Sequence, residues 1–478
     1  MERLYDKLKA YSESDFYAFH MPGHKRNKAL LGIELPYDLD ITEIDGFDDL
    51  HHADGILKEE QERAARVFGA EESHFLVNGS TAGILSAVMG CTHRGDKILV
   101  ARHCHKSIYH AIYMNGLVPR YVYPEFDISM HMNGEISKED VAKALAAEPD
   151  IKAVVIVSPN YDGVVSDVKG IAEVAHSYRI PLIVDEAHGP HFGFHPAFPG
   201  RANDLGADVV INSLHKTLPS LTQTAILHIN GKFANRRRIK KYLDMLQSSS
   251  PSYIFMAAMD RCVEFLKNEG KERFEAFAAR LEDFHAFAGR LEQIRIPGYE
   301  IRGSYGIFDF DRSKILLVPA AHGGDWIGRE LREKDHLELE MEAGSYGLAL
   351  TSVMDTEEGF ERLKKALLRI DGELAGEKEK QETGTGYDGA VHNEIVISLR
   401  EAYDGEKETV LLQESKGRIS GEFLYLYPPG IPLLMPGERI SRDVLERVAF
   451  FQEEGLSIQG LRDYTAEYID VLREAEEG

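Results

Sequence analysis

Cysteine is scarce in this chain. Cys91, Cys104 and Cys262 are the only three in 478 residues, too few and too scattered for a disulfide framework or a thiolate zinc site. They read as reduced core thiols. Positive charge is short as well: 55 lysines and arginines face 79 aspartates and glutamates, a formal net charge of -24. That balance excludes the basic field on which non-specific binding to nucleic acid or an anionic membrane depends, and it favours the approach of a cationic small molecule. Long apolar runs are missing too. No stretch reaches the roughly 18 residues needed to span a bilayer, and the opening "MERLYDKLKAYSESDF" has no apolar signal-peptide core, so the expectation is a cytoplasmic protein.

What is present is the composition of a soluble globular protein, 43% apolar and 28% charged, with length enough for about three domains. From about residue 72, short β-branched apolar runs alternate with amphipathic stretches of 3.6-residue spacing. "SHFLV", "DKILVA", "PRYVYPEF", "IKAVVIVSP", "IPLIVDEAH", "ADVVINSLHK" and "TQTAILHI" read as strands. "STAGILSAVMG", "KSIYHAIYMNG", "SKEDVAKALAAE" and "VKGIAEVAHSYR" read as the helices between them. This alternation predicts an α/β fold with a mostly parallel sheet covered by helices on both faces. Residues 256–293 are helical by periodicity, 296–372 suggest a small α+β domain, and the charged, Gly-rich 373–389 a linker. The expected organisation is an arm at 1–45, a large domain at 46–295, the small domain, the linker, and a C-terminal α+β domain at 390–478 that includes a closing helix.

In parallel sheets ligands gather at the carboxyl ends of strands, and the polar motifs fall there. The turn "VNGSTAG" places Gly79, Ser80 and Thr81 between a strand and a helix, where backbone N–H groups, hydroxyls and the helix dipole can meet a phosphate. Taken alone, an ordinary capped turn explains it as well. Asp185 ends a buried strand, and a carboxylate there needs a cation or strong donor, such as a protonated pyridine nitrogen. Lys216 follows the next strand, 31 residues later. A turn for the phosphate, a carboxylate for the ring nitrogen and a lysine for the aldehyde together match pyridoxal 5'-phosphate. His105 could stack on the ring, with Ala187 as the small residue beneath its other face and His188 beside it. Two histidine clusters, His51 with His52 and His188, His191 with His195, share no helical face and bring no thiolate, so no metal site is expected.

Eight stretches then carry a family likeness: "HMPGHKRN", "DGFDDLHHADGILKEEQ", "FLVNGSTAGI", "HCHKS", "SPNYDGVVSD", "VDEAHGPHFGFH", "SLHKTLPSLTQTA" and "YPPGIPLLMPGE". In content and order the chain resembles the short form of the ornithine/lysine/arginine decarboxylases, which have the aspartate-aminotransferase-like fold and use pyridoxal phosphate. The resemblance implies that Lys216 is the Schiff-base lysine, Asp185 the partner of the pyridine nitrogen and His105 the stacking residue. It assigns the phosphate to Ser80, Thr81, Ser213 and His215, and protonation of the substrate Cα to Lys216 or His215. Departures from the family pattern occur at Asn160, Pro190 and Asn212, where Thr, Ala and Gln would be usual; none removes a catalytic group. The receiver-like domain of long bacterial members is not expected, because "MPGH" lies within the first 25 residues.

The implied reaction is decarboxylation of a basic amino acid, with arginine first, lysine second and ornithine third, feeding polyamine synthesis. Asp45, Asp48, Asp49 and Glu438 are candidates for the substrate's distal cation, each also readable as a solvated or capping carboxylate. The fold implies a homodimer or a multiple of one. Transamination or β-elimination on the same fold, or a regulator without activity, are the alternatives; an aminotransferase needs an arginine to grip the α-carboxylate and the motifs offer no candidate for that role, and intact Lys216 and Asp185 argue against the regulator.

Overall fold

The computed structural model describes residues 3–16, 20–22, 24–26, 35–127, 132–304, 306–376, 391–426, 431–453 and 457–473. Most of the expected linker, 377–389, lies outside the described residues, as do Gly23 and Asn27 of "HMPGHKRN" and residues 427–430 of "YPPGIPLLMPGE". Seven strands follow the alternating pattern: β1 (Glu72–Leu76), β2 (Lys97–Ala101), β3 (Val118–Val122), β4 (Val154–Val157), β5 (Leu182–Asp185), β6 (Val209–Asn212) and β7 (Ala225–Ile229). The chain is a mixed α/β protein with a mostly parallel sheet. It groups into two compact units, one of Met1–Cys91, Val168–Ala278 and Ser352–Met354, the other of Thr92–Asp167, Ala279–Thr351 and Asp355–Gly478.

In the first unit β5 and β6 are parallel, with Asp185 opposite Ile211. β7 runs antiparallel to β6 on one side and to β1 on the other. β1, β5 and β6 therefore point the same way, and their carboxyl ends lie along one edge. Every residue of β5, β6 and β7 is buried, a state that needs cover on both faces of the sheet. The helix Gly79–Cys91 follows β1 directly. A Cβ on Gly83 would lie 2.6 Å from Leu76 Cδ1 and 3.4 Å from Ile211 Cγ2, so glycine lets the helix settle against the strands. The stretch read as one helix over 256–293 is two, Tyr253–Asn268 and Gly270–Ala288, with Glu269 between them. A further helix, Arg236–Leu246, not among those read above, buries Ile239 and Leu243 one turn apart along an otherwise charged surface.

In the second unit β2 pairs in parallel with β3 and β4. The 296–372 segment contributes Lys314–Pro319, Met341–Glu342 and Gly347–Leu350 to a four-stranded antiparallel sheet, with the helices Gly324–Glu330 and Glu357–Leu374. Beyond 391 the chain builds its own apolar core around Leu424, Leu434, Val444, Val448 and Val471. Its helix Arg442–Glu453 does not close the chain; the strand Tyr468–Leu472 comes after it and pairs antiparallel with Lys407–Leu411. That strand alternates buried and partly exposed residues, which marks it as half-buried and distinguishes it from helix. Among the described residues no helix is long and apolar enough to cross a membrane.

One buried charge cluster ties the first unit's helices together. Glu60 and Asp260 are each fully buried on Ile56–Phe68 and Tyr253–Asn268. Arg63 donates to Glu60 at 2.5 Å, and Arg3, at the start of helix Leu4–Ser12, pairs with Asp260 at 2.8 Å. Burial, and then the neighbouring Glu60 carboxyl, push the Asp260 carboxyl up to about 8, which favours its protonated form within the cluster. Because the folded state keeps a proton that the unfolded chain releases above about pH 4, stability falls as pH rises beyond that value until the fold also loses it. Asp260→Asn, neutral at every pH, is expected to flatten this decline by about 1 kcal/mol per pH unit. Urea denaturation of both proteins between pH 6 and 8 checks it; equal slopes would remove the Asp260 proton from the account.

Candidate functional site

The shared edge of β1, β5 and β6 gathers most of the polar motifs. After β1, Gly79 has φ +71°, a left-handed conformation that admits glycine freely and lets the chain turn directly into its helix. The turn is held from outside itself. Gln247 Oε1 accepts from Val77 N–H at 2.8 Å, Gln223 Nε2 donates to Val77 O at 2.7 Å, and Asn78 Oδ1 accepts from Ser248 N–H at 3.0 Å. Neither glutamine carries a local sequence signal, since each reaches the turn from more than 140 residues away. Ser80 Oγ lies 2.5 Å from Ser213 Oγ, so hydroxyls from the ends of β1 and β6 converge where the helix presents its unsatisfied N–H groups. Ser213 is buried, Ser80 half-buried and Thr81 exposed. Small hydroxyl residues at a helix N-terminus make a cradle for an anion.

At the end of β5, Asp185 is 3% exposed. Its Oδ1 accepts from Ala187 N–H at 3.1 Å, while its second oxygen takes no hydrogen bond from the described residues. Burial pushes its carboxyl up, and the charge of Lys216 pulls it partly back. A carboxylate so placed suits a cationic donor. Glu186 has a different set of partners: Ala202 N–H at 2.7 Å, and Asn212 Nδ2 at 3.0 Å from its carboxyl and 3.1 Å from its carbonyl. Burial raises the Glu186 carboxyl to about 8. This contact gives the unusual Asn212 a task, since its amide joins the ends of β5 and β6.

Lys216 is carried on the single turn Leu214–Thr217 after β6, with Nζ 2.7 Å from His188 Nε2. Next to it, the His215 Nδ1 sits 3.0 Å from Thr224 O; burial lowers its pKa, so the neutral ring donates Nδ1–H to that carbonyl and keeps Nε2 as an acceptor. Ala187 and His188 are buried beside these groups in sequence. The first unit thus brings Gly79, Ser80, Ser213, Asp185, His188 and Lys216 to one strand edge, a donor set that suits a ligand with an anionic end, a protonated ring nitrogen and an amine-reactive carbon. His105 belongs to the second unit, exposed, capping helix Lys106–Asn115 through Nδ1, which accepts from Ser107 N–H at 3.3 Å.

The histidine clusters are dispersed among other partners. His191 Nδ1 meets Thr217 Oγ1 at 3.0 Å, His195 pairs with Glu275 at 2.9 Å, His51 bonds Ser248 O at 2.8 Å, and His52 pairs with Asp49 at 3.3 Å. Among the substrate candidates, Asp45 is exposed. Asp48 accepts backbone N–H bonds from Asp49, Asp54, Gly55 and Leu57 at 2.9–3.1 Å. Burial alone would raise its pKa, but these four bonds outweigh it and hold the carboxylate below the usual range. Asp49 accepts from His51 N–H at 2.9 Å. Glu438 is buried in the second unit, its two oxygens 3.1 and 3.2 Å from Arg102 Nη2.

Two family models match the chain: "Orn/Lys/Arg decarboxylase, major domain" over residues 3–298 and "Orn/Lys/Arg decarboxylase, C-terminal domain" over residues 392–462. The arginine decarboxylase of Bacillus subtilis is 33% identical over 483 residues, 98% of each chain. That of Bacillus anthracis is 34% identical over 482 residues, 98% of this chain and 97% of its own. The crystal structure of the Francisella novicida lysine decarboxylase shares the fold at TM-score 0.83 and 19% identity, over 98% of this chain and 81% of that one.

Asp48→Ala would leave four backbone N–H groups without their charged acceptor and is expected to cost about 2–4 kcal/mol of stability. Urea denaturation measures it. An unchanged midpoint would show that these bonds do not organise the turn before helix Ile56–Phe68.

Proposed function

The chain belongs to the Orn/Lys/Arg decarboxylase family, and on that ground we propose that it decarboxylates L-arginine to agmatine and carbon dioxide with pyridoxal 5'-phosphate as cofactor. The arginine reading is supported by relatives at 33 and 34% identity that carry the name arginine decarboxylase and match essentially end to end. The cofactor reading rests on one observation, the convergence of the Ser80–Ser213 hydroxyls, buried Asp185 and Lys216 at the common edge of β1, β5 and β6.

When bound, pyridoxal 5'-phosphate supplies an electron sink for the pair left behind as carbon dioxide departs. The protein's residues do the rest. Ser80, Thr81, Ser213 and the N-terminus of helix Gly79–Cys91 bind the phosphate. His215 joins them once that anion favours its protonated ring, whose Nε2–H becomes a donor. Asp185 holds a proton at the pyridine nitrogen, and the same proton removes the cost of burying its own charge. Ala187 packs against one face of the ring. Lys216 would supply the amine that tethers the cofactor, and Lys216 or His215 would return a proton to Cα; His188 Nε2, 2.7 Å from the Lys216 amine, holds it in place. The net charge of -24 draws a cationic substrate toward the protein, and arginine's planar guanidinium calls for a bidentate carboxylate where lysine needs only a point charge. The enzyme works in the cytoplasm as a homodimer or a multiple of one, so an active monomer in sedimentation would contradict that part.

Carbon dioxide release from arginine, lysine and ornithine by the pyridoxal-phosphate-loaded protein tests the assignment, with arginine expected to lead by at least about tenfold in kcat/KM. Transfer of the amino group without carbon dioxide would make it an aminotransferase. Lys216→Ala is expected to lose both carbon dioxide release and the visible absorbance of the tethered cofactor; retained turnover would sink the lysine's role. For Asp185→Asn, cofactor should still bind while kcat falls by about 100-fold or more, near 3 kcal/mol of barrier. A near-normal rate would mean that another group protonates the ring.

A further inference from the structure

The second unit holds a cavity of about 610 Å³, and none of the groups at the edge of β1, β5 and β6 lines it. It opens where helix Gly270–Ala288 ends and the chain passes through strand Ile294–Arg295, the short turn Tyr299–Ile301 and Arg312. Its lining falls wholly within residues 279–351 of that unit. The volume is in the range of small-molecule sites. Glu282, Glu292 and Glu300 stand against Arg295 and Arg312 around it, three carboxylates to two guanidinium groups, which leaves one negative charge in excess.

Two acceptors converge inside. His285 Nε2 lies 3.1 Å from Arg312 O and donates there; burial lowers the pKa of the ring, and in its neutral form Nδ1 is an acceptor. Glu300 Oε1 accepts from Gly298 N–H at 2.7 Å, which sets the carboxylate beside that glycine. A Cβ on Gly298 would lie 2.8 Å from Glu300 Oε2 and 3.4 Å from His285 Nδ1. The space a side chain would take is thus faced by a carboxylate oxygen and an imidazole nitrogen, a setting for an N–H donor that carries positive charge.

Arg312 calls for the opposite charge. It is 8% exposed, its Nη1 lies 2.5 Å from Glu282 Oε2, and its guanidinium sits 4.6 Å from the centre of the Tyr299 ring. Its buried Nε has no hydrogen-bond partner among the described residues. A guanidinium takes a carboxylate bidentately along one side of its fork, and Nε belongs to the side that Glu282 does not use.

We infer that this cavity binds a free basic amino acid, with its carboxylate on the Nε side of Arg312, its α-ammonium at Glu300 Oε2 and His285 Nδ1, and its distal cation toward the exposed Glu292. Such a ligand carries two positive groups and one negative, the balance that offsets the lining. A diamine leaves Arg312 unmet, and a simple anion leaves the two acceptors unmet. The site does not depend on the pyridoxal-phosphate chemistry proposed above, although its ligand class overlaps the proposed substrate.

The test must therefore close the one place to read the other. Borohydride fixes the cofactor of the loaded full chain to Lys216, and equilibrium dialysis with radiolabelled arginine then measures what binds elsewhere. One arginine per chain is expected, with Kd below about 1 mM. Glu300→Gln keeps an acceptor for Gly298 N–H and loses the charge, so binding should weaken about tenfold. Gly298→Ala fills the space at an ordinary φ of -127° and should weaken it at least as far. Arg312→Met should abolish it, and because Glu282 is 72% exposed no buried charge is left alone. Should that variant not fold, the other two decide. Agmatine, which lacks the carboxylate, and norvaline, which lacks the distal cation, should each compete about tenfold more weakly than arginine or worse. No binding to the fixed wild type at about 10 mM, unchanged binding in Glu300→Gln and Gly298→Ala, or either analogue competing as well as arginine overturns the inference. A wild-type protein that takes up no pyridoxal phosphate, or releases no carbon dioxide from any of the three amino acids, counts against the proposed function alone; dialysis of the untreated protein and the same variants then decides for or against the cavity.

Discussion

β7 lies between β1 and β6 and runs against both. This one reversal makes β1, β5 and β6 co-directional, so three connections that are far apart in sequence open on the same edge. The phosphate-type turn at Gly79, the carboxylate at Asp185 and the lysine at 216 owe their company to that arrangement. Slide or reverse β1 or β6 and the hydroxyls of Ser80 and Ser213 no longer meet. The glycine at 83 serves the same end by letting the helix lie close against Leu76 and Ile211.

The chain buries acidic groups in several ways, and each way indicates what the acid is for. Glu60 and Asp260 are compensated by two arginines, with the Asp260 carboxyl pushed toward its neutral form, and they hold helices together. Glu186 is pushed toward its neutral form and bonds across two strand ends. Glu438 keeps a guanidinium, an amide and a backbone N–H. Asp185 differs from all of them. It is as buried as Glu186, but among the described residues it takes one backbone bond and feels the charge of Lys216, and its second oxygen accepts a hydrogen bond from none of them.

The sheet strands, the helices between them and the lysine–aspartate spacing were legible because they depend on local pattern: apolar periodicity, cap residues and strand ends. Lys216 and Asp185 stand at the ends of consecutive strands, and the turn at Gly79 carries its small hydroxyl residues on its face. What escaped was decided at long range. Asp48 is flanked by acids and histidines and looks available for a cation, but its lone pairs are taken by backbone as distant as Leu57. Glu438 stands in a family motif, and only the fold reveals an arginine 336 residues away. Helix Arg236–Leu246 hides its two apolar contacts among lysines and arginines. Gln223 and Gln247 hold the phosphate-type turn from outside, and no window centred on that turn contains them.

The tight seating of Gly83 also bears on how such a protein could change its diet over evolutionary time. A methyl group at that position would press into the tip of Leu76, so the helix keeps its closeness to β1 and β6 only with glycine there or with Leu76 turned aside. Mutations that re-aim the cradle would have to disturb this packing, which close-packed interiors resist. Novelty in the amino acid accepted is therefore easiest to acquire in the segments that border the edge, where a loop can lengthen or exchange a charge while the machinery under it stays as it was.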